Sequence, residues 1–463
     1  MKHYVFNEEL VDNVAKELHV KDLKNATIGE VCLVAGRLEE MTGIPFIRMD
    51  QGSPGLPANR IGIEAEKAAL ERGVGSQYPA ADGAVRDYAA FVEAAHAHDA
   101  KGTAADGVPE LKREASRFVK AFVDIDVSPR ACIPTTGSVA ASFGSFIACT
   151  QCQPGKDKVL FIDPGFPIQK SQLRIIGAQW EQFDIYNYRG EALREKLESY
   201  MSKGDIAAII YSNPNNPAWI CLEDSELAII GELATKYDAI VLEDMAYFCM
   251  DFRRDLGKPF TPPYPPTVAK YTDNYILMLS ASKIFSYAGQ RMAVACVSDK
   301  LFDREFPALA ERYHDAGVFG PTFIASILYM ITSGCTASTQ YAYAEMMRAS
   351  TDGELDFASD MKEYARRAER MKKIFTDNGF HIVYDKDVKD KIADGFFFTI
   401  GYDGMASGEL VKELMHYGVS GISLGTTGSE QNGVRACTSR MREEQYEVME
   451  ERMKQFHEDH PQD

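Results

Sequence analysis

One lysine stands just past an apolar run in Leu279-Ser280-Ala281-Ser282-Lys283-Ile284-Phe285-Ser286-Tyr287-Ala288-Gly289-Gln290-Arg291. Hydroxyls precede it, a glycine follows, and an arginine closes the stretch. An amine that condenses with an aldehyde must be held in place and must shed its proton. The strand sets its position, small neighbours leave room for a flat ring, and the Arg291 cation suits a phosphate while depressing the lysine pKa. The competing explanation is a surface lysine after a strand, and three further segments weigh against it.

Ile209-Ile210-Tyr211-Ser212-Asn213-Pro214-Asn215-Asn216-Pro217 runs a strand into two Asn-Pro pairs. Proline blocks the helix and shapes the turn, so an asparagine amide can be aimed into a strand-end cleft to hold a phenolate oxygen. Ile240-Val241-Leu242-Glu243-Asp244-Met245-Ala246-Tyr247 delivers a carboxylate, with a tyrosine three residues later. A carboxylate facing a pyridine nitrogen keeps it protonated, which makes the ring an electron sink; a helix N-cap would use the aspartate equally well. Pro134-Thr135-Thr136-Gly137-Ser138-Val139 ends a strand and starts a helix, whose free N–H groups favour an anion such as phosphate.

These motifs need a scaffold. Apolar runs at Ala131 to Pro134, Lys158 to Ile162, Ile206 to Tyr211, Ala239 to Leu242, Tyr275 to Leu279 and Met292 to Val297 alternate with helical patterns. The pattern predicts an α/β fold with a mainly parallel sheet covered by helices, whose ligands gather at the strands' carboxyl ends. Residues 62–350 are expected to form this large domain, with 1–61 and 351–463 forming an N-terminal arm and a smaller α+β domain. Residues 7 to 43 read as helices, one started by a capping box at Thr27 and Glu30; the segment reads as a structural arm or partner contact. Residues 97 to 112 are expected to be a surface excursion. Leu256 to Thr267, with five prolines, is read as an extended connector. Helices are predicted from Leu355 to Asn378, ended by Gly379, and from Glu443 to Phe456, with a strand at Phe396 to Ile400.

The 463 residues, 45% hydrophobic, suffice for a large core. A net charge of -18 makes nucleic acid an improbable partner. Nine cysteines argue for a reducing compartment, and with no signal-peptide core or membrane-length apolar run the expected location is the cytoplasm. Cys149-Thr150-Gln151-Cys152 is one unaccompanied CxxC and His96-Ala97-His98 lies in a polar stretch; neither is read as a metal site.

Together the four segments resemble the fold-type-I pyridoxal-phosphate (PLP) enzymes, and among them the class I/II aminotransferases, over roughly residues 45 to 445. The resemblance implies that Lys283 carries PLP as a Schiff base and moves the proton, Asp244 pairs with the pyridine nitrogen, and Asn216 and Tyr247 bond the ring oxygen. Gly137, Ser138, Val139, Ser280 and Arg291 would surround the phosphate, and Phe166 would stack on the ring, unless it is a core phenylalanine. Tyr78 matches the tyrosine that reaches the neighbouring subunit's phosphate, which implies a homodimer with active sites at the interface. Gly52 matches a glycine beside the substrate, and Arg435 matches the arginine gripping its α-carboxylate, with Arg440 and Arg442 close by. Amino acids and 2-oxo acids are the implied substrates. A PLP lyase eliminating at Cβ shares the motif set; a non-catalytic sensor would usually add a basic DNA-binding module, and none is evident. The chain departs from the pattern at Ala218-Trp219, where Thr-Gly is usual, and the indole would either reshape the pocket or pack beneath it. Arg312 does not align convincingly as a side-chain reader.

Overall fold

The computed structural model describes residues 2–76 and 106–462. Ile47–Arg48 (β1) is a short early strand. Cys132–Thr135 (β2), Lys158–Asp163 (β3), Gln179–Asp184 (β4), Ile206–Ser212 (β5), Ile240–Asp244 (β6), Tyr275–Ser280 (β7) and Ala293–Val297 (β8) form one sheet in the order β2-β8-β7-β6-β5-β3-β4. Neighbours from β7 to β4 pair in parallel, and β8 runs antiparallel to both β7 and β2. Every residue of β6 and β7 is buried, because helices cover both faces. That is why these strands are apolar almost throughout instead of alternating.

The second layer joins distant parts of the chain. His381–Ile382 (β9), Phe397–Gly401 (β10), Val419–Ser420 (β11), Ile422–Ser423 (β12) and Val434–Cys437 (β13) follow in sequence. They make a four-stranded antiparallel sheet, β12-β13-β10-β9, while β11 pairs in parallel with β1. Phe6 to Met49 and Ala368 to Phe456 contribute to one buried cluster. The capping box forms: Glu30 N–H donates to Thr27 Oγ1 at 3.3 Å, and Thr27 N–H donates to Glu30 Oε2 at 2.7 Å. The long helix runs Phe357–Asp377 and buries Tyr364, Ala368, Met371 and Phe375 on one face. The last helix, Tyr446–Asp459, is preceded by a 3-10 turn at Glu443–Gln445.

One expectation fails. Residues 106–112 are not part of a surface excursion: Pro109–Val123 is a helix that buries Leu111 and Ala115. Pro109 starts it, and Lys112 pairs with Asp106 in the interior at 2.7 Å. Small and polar residues before the proline obscured an amphipathic repeat that begins after it. His96, His98 and residues 97–105 lie outside the described residues. Cys149 and Cys152 are packed inside the helix Gly137–Cys152 as free thiols, and burial pushes both pKa values well up. Among the described residues no helix is long and apolar enough to cross a membrane.

The proline-rich stretch is an irregular connector, anchored at its end by Thr267 Oγ1 and Val268 N–H, which donate to Glu243 Oε2 at 2.7 and 3.1 Å. Glu243 lies inside β6, and burial pushes its carboxyl up to about 7, against these hydrogen bonds. A folded-state pKa above the unfolded one means stability is lost as pH rises through about 7. Glu243→Gln is therefore expected to melt higher than wild type at pH 8, by ~1–3 kcal/mol equivalent, with the gap closing towards pH 5. Melting curves at both pH values check this; a variant less stable at pH 8 would refute the burial argument.

Candidate active site

The carboxyl ends of β3, β5, β6 and β7 open into a cavity of 880 Å³. Lys283 enters it from a short helix, Ala281–Ile284, directly after β7. Its Nζ donates to the Gly52 carbonyl oxygen and sits 5.3 Å from the centre of the Phe396 ring. Burial brings the ammonium pKa down to about 8; the Arg435 and Arg291 cations add to this, and Asp244 opposes it. A lysine in this setting has far more free amine near neutral pH than one in water.

Asp244, the last residue of β6, is buried with Oδ1 accepting the Ala246 N–H at 3.1 Å. Burial raises its carboxyl to about 6, against the Ala246 hydrogen bond and the Lys283 charge. Asp244 makes no direct ion pair among the described residues, and a cationic ring nitrogen would supply one. Tyr247 also lines the cavity, and burial holds its phenol well above the ordinary range, so it is a neutral donor. Three rings fix it: Trp219, Phe396 and Phe397, each with its centroid 5.4 Å away. Asn216 lines the same wall, its backbone N–H bonded to Ser212 Oγ at 3.0 Å.

Trp219 answers the question left open by the departure from Thr-Gly. It is fully buried and packs beneath Tyr247, outside the cavity lining. Its φ of 63° is a conformation that glycine adopts readily and tryptophan rarely. Room for the indole comes from Gly395, where a Cβ would stand 2.1 Å from the Trp219 ring.

The cavity also holds a group of donors suited to an anion. The helix Gly137–Cys152 starts with no side-chain cap from Thr136, and Ser138 and Val139 at its first turn face the cavity. Uncapped N–H groups and the helix dipole attract negative charge. Gly137 has a φ of 75°, and a Cβ there would lie 2.6 Å from Arg291 Nη2. Arg291 Nη1 donates to the Ala288 oxygen at 2.7 Å, and Ser280 Oγ accepts the Ser282 N–H at 3.2 Å, which leaves its own hydrogen to donate. Phe166 lines the cavity just before the helix Pro167–Ile176.

Arg435 reaches the cavity from β13. Its Nη2 donates to the Asp50 oxygen at 2.5 Å, its guanidinium lies 4.8 Å from the Phe397 ring centre, and its buried Nε has no hydrogen-bond partner among the described residues. Arg440 and Arg442 are exposed: the first bonds the Gln51 side chain, and the second pairs with Glu444 at 3.0 Å. Neither they nor Arg312 line the cavity. Gly52 supplies its carbonyl to Lys283, with Phe397 at 3.4 Å from where a Cβ would be. Tyr78 lies outside the described residues. Thr27, Ile28 and Gly29, the start of the helix read as an arm, also line the cavity. The capping box marked a helix start, but nothing local placed it over this cleft.

The family model for aminotransferase class I and II matches residues 77–453. The chain belongs to that family. Its fold is that of the solved aminotransferases: the alanine aminotransferase of Pyrococcus furiosus superimposes with a TM-score of 0.71 at 17% identity, covering 93% of this chain and 97% of that one. Among the relatives, a glutamate-pyruvate aminotransferase of Escherichia coli is 30% identical over 230 residues, 48% of this chain and 52% of that enzyme. A (5-formylfuran-3-yl)methyl phosphate transaminase of Methanocaldococcus jannaschii is 25% identical over 361 residues, 76% of this chain and 81% of that enzyme. The match to the first thus spans about half of the relative's length.

Proposed function

We propose that the protein is a PLP-dependent aminotransferase that moves an amino group from an L-amino acid to a 2-oxo acid by a ping-pong sequence. The observation that carries this is a buried amine, Lys283, lining one cavity with a buried carboxylate, Asp244, and with a cradle of Arg291 and uncapped N–H groups. PLP fits that set. The bare Cα of Gly137 lets the Arg291 guanidinium lie against the helix start, where Ser138, Val139 and Ser280 line the same cavity as donors for a phosphate, and the Nε of Arg435, without a hydrogen-bond partner among the described residues, leaves a donor for a carboxylate. Bound there, PLP supplies an aldehyde and a protonated ring that withdraws electrons from the substrate's α-carbon.

The chain's residues do the rest. Arg291, Ser280 and the Ser138 and Val139 N–H groups hold the phosphate, and Asp244 keeps the ring nitrogen protonated. Asn216 and Tyr247 donate to the ring oxygen, and Phe166 covers one ring face. Arg435 binds the α-carboxylate with a planar two-pronged donor, which fixes the Cα–H bond for Lys283 Nζ to take and return the proton. Large domain 62–350 would carry the cofactor, and 1–61 with 351–463 would close over it. The family resemblance further supports a homodimer, in which Tyr78 would reach the phosphate of the neighbouring subunit. Nine free thiols suit a reducing cytoplasm.

The test is the visible spectrum of protein loaded with PLP, recorded as single L-amino acids are added without an oxo acid. The yellow band is expected to fade and to return when a 2-oxo acid is supplied. A persistent band with ammonia and oxo acid accumulating would mean elimination instead, and no band at all would remove Lys283 from its role.

A further inference from the structure

Two of the cations lining the cavity, Lys283 and Arg435, are tied to one short piece of main chain. Lys283 Nζ donates to the carbonyl of Gly52, and Arg435 Nη2 donates to the carbonyl of Asp50. That piece is not an ordinary loop, because the Asp50 side chain is fully buried and its carboxylate is held on several sides. Arg48 grips it with two prongs, Nε to Oδ1 at 2.9 Å and Nη2 to Oδ2 at 2.8 Å. Ser420 Oγ donates to Oδ1 at 2.5 Å, and Cys32 Sγ donates to Oδ2 at 2.8 Å. Burial alone would raise this carboxyl, but the Arg48 pair outweighs it and keeps the carboxylate charged.

The elements involved explain the arrangement. Asp50 follows β1, which lies beside β11, and Ser420 belongs to β11. Ile422 in β12 pairs with Arg435 in β13, so Ser420 stands two residues from the strand that flanks the arginine. Cys32 comes from the helix Ile28–Thr42, whose start lines the cavity. The Asp50 carboxylate thus joins the cavity-lining helix, β1 and β11 at one point, and its own carbonyl aims the guanidinium. A bidentate Arg–carboxylate contact is strict about angle, so the part that sets the angle controls substrate grip.

We infer that Asp50 is a positioning residue for the substrate carboxylate: through Arg48, Ser420 and Cys32 it fixes the main-chain carbonyl that orients Arg435. The inference rests on the proposed reading of the cavity as a PLP site with Arg435 at its carboxylate end. Partners that orient metal ligands from behind typically contribute about 10–100-fold in affinity, and by analogy Asp50→Asn, which keeps the shape and removes the charge, is expected to act on that scale.

The experiment uses PLP-loaded wild type, Asp50→Asn and Ser420→Ala, with propionate as a carboxylate probe that has no amine to react. Ser420→Ala is included because it removes one hydrogen bond without stranding the Arg48 charge. PLP affinity is read from the visible band and propionate affinity from its perturbation of that band. The expected result is PLP affinity within about threefold of wild type, with propionate bound roughly 10- to 100-fold more weakly by Asp50→Asn and severalfold more weakly by Ser420→Ala. Unchanged propionate affinity in both variants overturns the inference. So does a parallel fall in PLP and propionate affinity in both, which a merely structural role would produce. If Asp50→Asn does not fold, Ser420→Ala decides alone by the same criteria. Wild type that takes up no PLP overturns the functional reading, and this inference with it.

Discussion

Lys283→Ala is expected to abolish turnover, on the order of the 10⁶-fold losses seen when a covalent nucleophile is removed from a working site. Among the described residues, no other group lining the cavity can take over. The other cations there include Arg291 and Arg435, whose guanidinium groups do not give up a proton near neutral pH. Lys170 also lines the cavity, but it is tied to Asp163 in an ion pair. Lys283 alone combines a buried amine with a pKa brought down to about 8. PLP should still associate with the variant, because the phosphate cradle at Gly137, Ser138 and Arg291 does not depend on the lysine. Dialysis should then remove it, and the visible band should shift to that of the free aldehyde. Single-turnover absorbance with an amino acid, alongside the retained cofactor after gel filtration, measures both effects. Transamination at the wild-type rate would remove Lys283 from the mechanism entirely.

Asp244→Ala comes second in expected size. The buried carboxylate sits at the end of β6, at the cavity wall, with the Ala246 N–H on one oxygen. A charge held in that state is useful only against a developing positive partner. Removing a preorganised charge of this kind costs about 10²–10³ in kcat, while the phosphate contacts that dominate cofactor affinity stay in place. The expected signature is therefore a large fall in kcat with a small change in PLP binding, and partial recovery in Asp244→Glu. There is also a pH consequence. With its pKa raised to about 6, Asp244 in the cofactor-free protein is charged above that value and neutral below it. PLP uptake should accordingly weaken as pH falls through about 6 in wild type and lose that dependence in Asp244→Ala. An unchanged kcat in Asp244→Ala would leave the carboxylate without a part in the chemistry.

Most of the residues lining the candidate site were legible in the chain because they end or closely follow a buried strand. Asn216, Asp244, Ser280 and Lys283 all lie within a few residues of the ends of β5, β6 and β7, and strands that pair in parallel must bring those ends together. The same logic placed the uncapped helix start at Gly137 after β2. Where the signal was local, as in the capping box at Thr27 or the one-sided face of Phe357–Asp377, the reading was also close. It failed at Pro109–Val123, where neighbouring polar residues hid a helix whose buried face points at the core.

What the chain determines by itself is the order of buried strands and the residues hung from their ends, since hydrophobic periodicity and turn chemistry act over a few residues. Contacts made across hundreds of residues were decided only in the folded molecule. Trp219 tucks under Tyr247 because Gly395, far along the chain, leaves it space. The arm at Thr27 to Gly52 covers the cavity because β1 adds to β11, and the Asp50 carbonyl meets Arg435 because that pairing brings them together. No local pattern encodes such meetings; they follow from packing the two layers against each other, which selects among partners that are equally compatible with the sequence nearby.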